Sequence, residues 1–362
     1  MAPHDGTRRP PHRKWVVRAA ALSLVAGLAT ACSSEGSSAP TGGAGSSGAA
    51  DTAAAQQPVD ITIVDASTAS SSILPYYAMK AGIFKKYNIN ATVKFVGSSL
   101  AMPQLASGKA QFGAIGAPQP EEVAQSGAPV KWLGVWDQRA DFQLVAGPGI
   151  KTVKDLQGKS IGISTKGSVT NTFAEWIMQQ NHVPPGSLHY VPLQDSAGIV
   201  SGFISGQVDA LLLSPPNSTK AVEGRPGSSV LLDTNSPNYE WPFNGLAAYM
   251  PWVQSHKNAT VRILQAMTEA LQKFRTDTKG AEAAIADAVP GTPAKTVSLS
   301  YQSALEVFNK DSLVLSEDTE KTVLQLMTEF YPGEYPNAVP AKWANFVDSS
   351  YAQQAQAALK QG

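Results

Sequence analysis

The sequence predicts an α/β protein built as two lobes, each a largely parallel sheet flanked by helices. Three observations predict it. First, short apolar runs bounded by Gly, Ser and Pro alternate with stretches of helical spacing, the pattern of a parallel sheet with helical crossovers. Second, one such unit recurs. With the numbering advanced by 98, Ile63-Val64-Asp65 lies over Ile161-Gly162-Ile163, Ser70 over Ser168, Val93-Lys94-Phe95 over Val191-Pro192-Leu193, Ser98 over Ser196, and Ser107-Gly108 over Ser205-Gly206. Third, the strands end in small polar residues, and open α/β sheets bind ligands beyond the carboxyl ends of their strands. Two similar lobes aiming polar loops at one cleft account for all three.

The chain of 362 residues is long enough for two medium lobes. Its 28 basic and 28 acidic side chains balance, but unevenly. Arg8, Arg9, Arg13, Lys14 and Arg18 stand against Asp5 alone in residues 1–31, so the remainder is slightly acidic. No basic stripe is left to neutralise phosphates, which argues against a nucleic-acid partner. The basic start leads into the apolar run 19–28 and then Ala29-Thr30-Ala31-Cys32. Residues 1–31 therefore read as a secretory signal peptide. The apolar run is too short to span a bilayer comfortably. Cys32 is the only cysteine and follows the small residues directly. This resembles a bacterial lipobox, in which Cys32 would become the lipidated first residue. Ala29 stands where that motif usually has Leu, and Ala29-Thr30-Ala31 also satisfies simple cleavage. Lipidation is favoured because a lone cysteine at this position has little other explanation. Residues 32–57 are Ser, Gly, Ala, Thr and Pro with only Glu35 and Asp51 charged, a composition that cannot bury a core. A coil of that length spans on the order of 25–30 Å and would tether a folded body to a membrane.

The body starts near residue 58. Residues 61–64 form a strand, and 67–72 a polar loop. Pro75 sits in the first turn of a helix, where its missing N–H costs nothing. Tyr76, Met79, Ile83, Phe84 and Tyr87 share a face, with Gly82 as the breaker. Strands follow at 93–96, 112–115 and 131–136, separated by the Gly97-Ser98-Ser99 loop, a helix through Leu105, and Gly116-Ala117-Pro118. The chain crosses to a second lobe at 143–146. Residues 150–159 read as a connecting helix and turn, and 161–163 as a buried strand. A helix opens at Ser168, whose hydroxyl is the expected N-cap, and carries Val169, Phe173, Trp176 and Ile177 on one side. Residues 210–213 and 230–232 are strands, 241–245 a loop, and 246–250 the apolar return. The remainder reads as helices. One carries Val261, Leu264, Met267, Leu271 and Phe274, and a second, capped by Ser316, carries Val323, Met327 and Phe330. A last stripe is Trp343, Phe346, Val347 and Tyr351. The first lobe is expected to comprise 58–143 and 247–362, and the second 144–246.

The candidate ligand contacts are Ser67, Thr68, Ser70, Ser98, Ser99, Gly116, Ala117, Thr165, Lys166, Gly167, Ser168, Thr170, Ser214, Pro215, Trp241 and Asn244. Hydroxyls, backbone N–H groups and the positive end of a helix suit a small polar or anionic solute. Lys166 is the cation of these loops. Trp136, Phe142, Trp241 and Phe243 could enclose an organic moiety, although each reads individually as core. Asp65 and Asp137 lie near strand ends and could receive an amine, which leaves ligand charge open. Nothing in the body points to catalysis. His182, His189 and His256 lack metal-ligand spacing, and no P-loop, Gly-x-Ser-x-Gly elbow or paired-carboxylate motif occurs. Neither metal nor cofactor is expected.

Five segments together resemble a known family. They are Pro75-Tyr76-Tyr77-Ala78-Met79-Lys80-Ala81-Gly82-Ile83-Phe84, Leu105-Ala106-Ser107-Gly108, Asp155-Leu156-Gln157-Gly158-Lys159-Ser160-Ile161-Gly162, Gly167-Ser168, and Gly206-Gln207-Val208-Asp209-Ala210. From about residue 59 to 222 the chain resembles the periplasmic solute-binding proteins of the nitrate/sulfonate/taurine and thiamine-precursor type. The resemblance implies a type II periplasmic-binding-protein fold: two α/β lobes, a ligand cleft and two crossover strands. It also implies a monomeric, membrane-tethered receptor that delivers a sulfonate-, taurine- or carboxylate-like solute to an ABC permease. Departures bear on the ligand. Gln111 stands where the family usually has Asp, and the Trp-x-Pro-Asn-x-x-His signature of the pyrimidine-binding branch is absent. A heterocyclic or amine ligand is the alternative. Enzymatic relatives, a desulfinase and a pyrimidine synthase, are disfavoured because the desulfinase needs a cysteine and the body has none. A sensor lipoprotein using the same cleft is a third reading.

Overall fold

Among the described residues ten strands fall into two five-stranded sheets of the same internal order. A computed structural model describes residues 57–361 apart from 138, 237, 238, 240, 331, 332 and 334. The expected signal peptide, Cys32 and nearly all of the expected linker, 32–56, lie outside the described residues. β1 (Val59–Asp65), β2 (Ile89–Phe95) and β3 (Phe112–Gly116) run parallel, and β3 is buried throughout. β4 (Val130–Val135) is the far edge. The chain then enters the second sheet as β5 (Gln143–Ala146) and continues as β6 (Ser160–Ile163), β7 (His189–Pro192), β8 (Ala210–Leu213) and β9 (Ser229–Asp233). It returns as β10 (Asn244–Tyr249). The orders are β2-β1-β3-β10-β4 and β7-β6-β8-β5-β9. In each sheet the strand arriving from the other sheet inserts antiparallel, next to the edge.

The repeat read in the sequence is thus one of topology. Ile63 pairs with Phe112 and Ile161 with Ala210, the same offset of 98 at both positions. The outer pairing slips by one residue, since Ile63 faces Val93 but Ile161 faces Tyr190. The two crossings, 136–142 and 234–243, are stitched together. Phe142 N donates to Thr234 Oγ1 at 2.9 Å and Thr234 N to Phe142 O at 2.8 Å.

Helices cover the sheets as the apolar spacing requires. α1 (Leu74–Lys80) has Pro75 in its first turn, and Gly82, at φ 71°, breaks it from α2 (Ile83–Lys86). Tyr77 rather than Tyr76 is the fully buried tyrosine of α1. α3 (Ser98–Ala106) starts earlier than expected, so Ser98 and Ser99 are first-turn residues and not loop. α4 (Gln119–Gln125), α5 (Val169–Gln180), α6 (Ser196–Ile204) and α7 (Asn217–Gly224) each follow a strand. The connector at 150–159 holds only a 3-10 turn, Val153–Leu156, closed by a reciprocal Thr152–Asp155 cap.

Among the described residues six α-helices follow: α8 (Met250–Ser255), α9 (Lys257–Phe274), α10 (Thr278–Ala288), α11 (Ala294–Val307), α12 (Glu317–Phe330) and α13 (Ser350–Gln361). α9 buries Leu264, Met267, Leu271 and Phe274 against the first-sheet core of Ile61, Phe112 and Leu246. The expected last stripe is not one helix. Residues Pro340–Asn345 form a 3-10 segment, Val347 bridges Trp132, and α13 starts only at Ser350. Val323, Leu324 and Met327 of α12 share a core with Trp132, Phe142, Phe173, Trp241 and Phe243, so this helix packs around the crossings. No described helix is long and apolar enough to cross a membrane.

Candidate functional site

The carboxyl ends of β1, β3, β6 and β8 converge on one small cavity of about 40 Å³. By a measure in which one water needs about 10–15 Å³, that is room for about three. The first sheet supplies Ala66, Ser67, Ala69, Ala114, Gly116 and Ser98, the last at the start of α3. The second supplies Ser164, Leu213 and Ser214, with Val169 and Thr170 of α5, Ser196 of α6 and Asn217 of α7. Phe142, Phe243 and Asn244 come from the crossings and the first residue of β10. The 98-residue offset relates several of these pairwise: Ala66 with Ser164, Ser98 with Ser196, Gly116 with Ser214.

The two loop sets touch across the cavity. Ser70 donates to Pro215 O through its N–H at 2.9 Å and its hydroxyl at 3.1 Å. Asn217 Nδ2 donates to Thr68 Oγ1 at 3.2 Å. These contacts tie the two loop sets together.

Of the sequence-selected residues, Ser67, Ser98, Gly116, Thr170, Ser214 and Asn244 line the cavity. Thr68, Ser70 and Pro215 hold the loops together beside it. Ser99 is exposed. Ala117 is buried behind Gly116, with its N–H on Phe243 O at 3.0 Å. Thr165, Lys166, Gly167 and Ser168 form a tight turn in which Gly167 takes φ 73° and Lys166 is exposed, away from the cavity. Ser168 does occupy the N-cap position, but its hydroxyl makes no capping bond. It accepts instead from Thr165 N at 3.3 Å and pairs with Thr170 Oγ1 at 2.9 Å. The Ser168 N–H is also spent, on Thr165 O at 3.1 Å. Trp241 is fully buried, its ring 5.0 Å from Phe173 and 5.2 Å from Trp176, and it does not reach the cavity.

Ser164, Ser196 and Asn217 were not selected from sequence. The repeat offered the signal for two of them, because Ser196 is the offset partner of Ser98 and Ser164 follows the repeated strand. Asn217 had no such mark.

No Asp, Glu, Lys, Arg or His lines the cavity among the described residues. Buried carboxyls stand behind it. Asp65 Oδ1 accepts from Ser67 N at 3.0 Å, while Oδ2 is buried without a partner, and burial pushes the acid well above the usual carboxylate range. Asp137 is spent on the returning chain. Its Oδ1 accepts from Phe243 N at 3.0 Å and Asn244 N at 2.6 Å, and its Oδ2 from Asn244 Nδ2 at 2.7 Å. Burial pushes Asp137 up, and these N–H donors oppose it. Asp141 accepts from Ser71 Oγ at 2.7 Å, and burial raises it too. Ser214 Oγ lies beside Asp141 and lowers its proton affinity, yet is buried with no hydrogen-bond partner at ordinary distance. Trp136 donates from Nε1 to Ser71 O at 2.8 Å and is core. No three His, Cys, Asp or Glu side chains come together among the described residues.

Two sheets of this order, two crossings and a cavity at their junction define the periplasmic-binding-protein fold. Residues 70–281 match the family described as NMT1/THI5 like, and the chain belongs to that family. Among curated protein sequences none matches the chain. Solved structures share the fold at low identity. The alkanesulfonate-binding protein SsuA from Xanthomonas axonopodis pv. citri, bound to MOPS, is 18% identical with a TM-score of 0.68, over 81% of this chain and 99% of that one. The periplasmic nitrate-binding protein NrtA from Synechocystis PCC 6803 is 13% identical with a TM-score of 0.69, over 84% and 90%. A ligand-binding component of an ABC-type import system from Staphylococcus aureus, with zinc bound, is 14% identical with a TM-score of 0.68, over 83% and 99%.

Proposed function

We propose that the chain is the extracytoplasmic solute-capture component of an ABC importer, tethered through Cys32, and that it performs no chemistry. The observation that carries this reading is the cavity at the crossings, walled by strand ends of both sheets. Solute docks on one loop set, the lobes close about 136–142 and 234–243, and closure is favoured by the contacts made only in the closed state. The closed form is what an ABC permease would recognise. The solute is small and polar. Phe142 and Phe243 offer it an apolar wall, and hydroxyls with the first turns of α3, α5, α6 and α7 offer hydrogen bonds. A sulfonate or carboxylate group would meet these donors rather than Lys166.

The test is a thermal-shift screen of the full chain, refolded to remove carried-over solute. The panel holds alkanesulfonates, taurine, small carboxylates, nitrate, pyrimidines and polyamines. A ligand at about a hundred times its dissociation constant adds roughly 2.7 kcal/mol and raises Tm by several degrees. No shift with any member would overturn the solute class. The tether has its own test, because Cys32→Ser should move the protein from the membrane fraction to the soluble exported fraction. Membrane retention of that variant would exclude the lipid anchor.

A further inference from the structure

The geometry points to Asn244 as the residue that selects the solute: Asp137 and Ser71 hold its side-chain N–H groups, so its carbonyl Oδ1 faces the cavity and requires a hydrogen-bond donor from whatever binds. The inference deepens the solute-capture reading and rests on it for the ligand, though not for the orientation of the amide.

An asparagine amide has two N–H donors and one carbonyl acceptor. Here Nδ2 donates to Asp137 Oδ2 at 2.7 Å and to Ser71 Oγ at 3.3 Å. Both protons are therefore committed. The direction of the weaker bond is fixed from outside the pair. Ser71 has a single hydroxyl proton, and Ser71 Oγ donates it to Asp141 Oδ1 at 2.7 Å, so towards Asn244 it can only accept. Asp137 is anchored independently by the backbone N–H groups of Phe243 and Asn244. While Asp137 and Asp141 are ionised, rotating the amide would place Oδ1 against the Asp137 carboxylate and the Ser71 lone pairs, with acceptor facing acceptor on both sides. Asn244 is 3% exposed and lines the cavity. Oδ1 accepts from no described residue and, with the unpartnered Ser214 hydroxyl, is left for a ligand.

The consequence concerns discrimination. A purely accepting anion such as nitrate or an unsubstituted alkanesulfonate would set oxygen against Oδ1, with no cationic side chain lining the cavity to compensate. A solute with an N–H or O–H group fills the same place favourably. Sites built around a buried polar group reject analogues that cannot pair with it far more strongly than sites that sense size. Asp137 and Ser71 are positioning residues in this scheme, and Asn244 is the contact.

Two measurements on the full chain test it. The first needs no ligand. In solute-free ¹⁵N-labelled protein, with side-chain amides assigned from the backbone, the Asn244 N–H pair should exchange with solvent at least tenfold more slowly than that of exposed Asn258. Equally fast exchange would place Nδ2 in the cavity and overturn the inference. The second compares near-isosteric pairs by thermal shift and calorimetry: urea with nitrate, acetamide with acetate, and taurine with propanesulfonate. The donor-bearing member of each binding pair should win by tenfold or more. A pair in which the acceptor-only member binds as tightly also overturns it. If no member binds while the Asn244 protons exchange slowly, the proposed solute class and selection by Asn244 both fall and the amide orientation stands.

Discussion

Gly116→Val is expected to abolish solute binding, with affinity falling at least a hundredfold, while the two sheets remain folded. Gly116 ends β3, pairs with Asn244 and lines the cavity. A Cβ added there would lie 2.7 Å from Phe243 Cε2 and 3.2 Å from Val169 Cγ2. Neither neighbour yields easily. Phe243 is wedged edge-on against Phe142 and Phe173, with centroids 4.9 and 5.1 Å away, and Val169 is the first residue of α5. The new methyl groups must therefore occupy the cavity or force these walls apart, and both remove the closed site. Overpacking of this kind costs about 1–3 kcal/mol of stability. Calorimetry with the best solute of the panel reads the affinity. Circular dichroism reads the fold, which β-branched valine should not disfavour in a strand. Binding within threefold of the parent would show that the solute sits elsewhere.

How much of this geometry was legible follows from what each feature depends on. The continuous run 210–213 reads as a buried strand because it is apolar throughout, and β8 is there. The repeat was legible because strand, turn and helix signals recur together. The insertion of β10 between β3 and β4 was not, since pairing is set by partners distant in the chain and leaves no local mark. The site was half legible for a similar reason. Being on a loop at a strand end is a local property, but facing the cavity depends on one or two torsions. Lys166 and Thr170 are four residues apart, and the turn at Gly167 sends one to solvent and the other inward. Trp241 and Phe243 are two apart on an irregular crossing, where both rings meet α5 and no period says which one also lines the cavity. Asp65 and Asp137 could each be placed near strand ends, as an amine receptor would require. Only the structure shows that Asp137 is already filled by three N–H donors from the returning chain.

The second large effect lies outside the cavity. Glu121 on α4 and Glu320 on α12 are both buried, at 1% exposure, and neither carboxyl has a hydrogen-bond partner at ordinary distance. Burial pushes Glu121 up from 4.5 to about 7, with its own backbone N–H and the Trp132 indole pulling weakly the other way. Glu320 is raised well above its usual range, first by burial and then by the charge of Glu121. Both acids bind protons more tightly in the folded than in the unfolded protein, so their contribution is fully present below about pH 4.5. It is lost as pH rises towards about 7, and further still for Glu320. From the shift at Glu121 the loss is on the order of 3 kcal/mol, at roughly 1.4 kcal/mol per pH unit. Asp155, Asp209 and Glu269, which are held below their usual values, act oppositely and only at lower pH. Stability should therefore fall between pH 5 and pH 8, against the usual trend of acid lability. Glu320→Gln isolates the pair. It removes one buried charge and supplies an amide donor for the Glu121 carboxylate, so it should stabilise the protein by about 1–3 kcal/mol at pH 8 and change little at pH 4.5. Urea unfolding at half-unit steps across that range measures both slopes. Parallel curves for parent and variant would mean that water or protein groups satisfy these carboxylates in their ionised form, and that the pair carries no pH linkage.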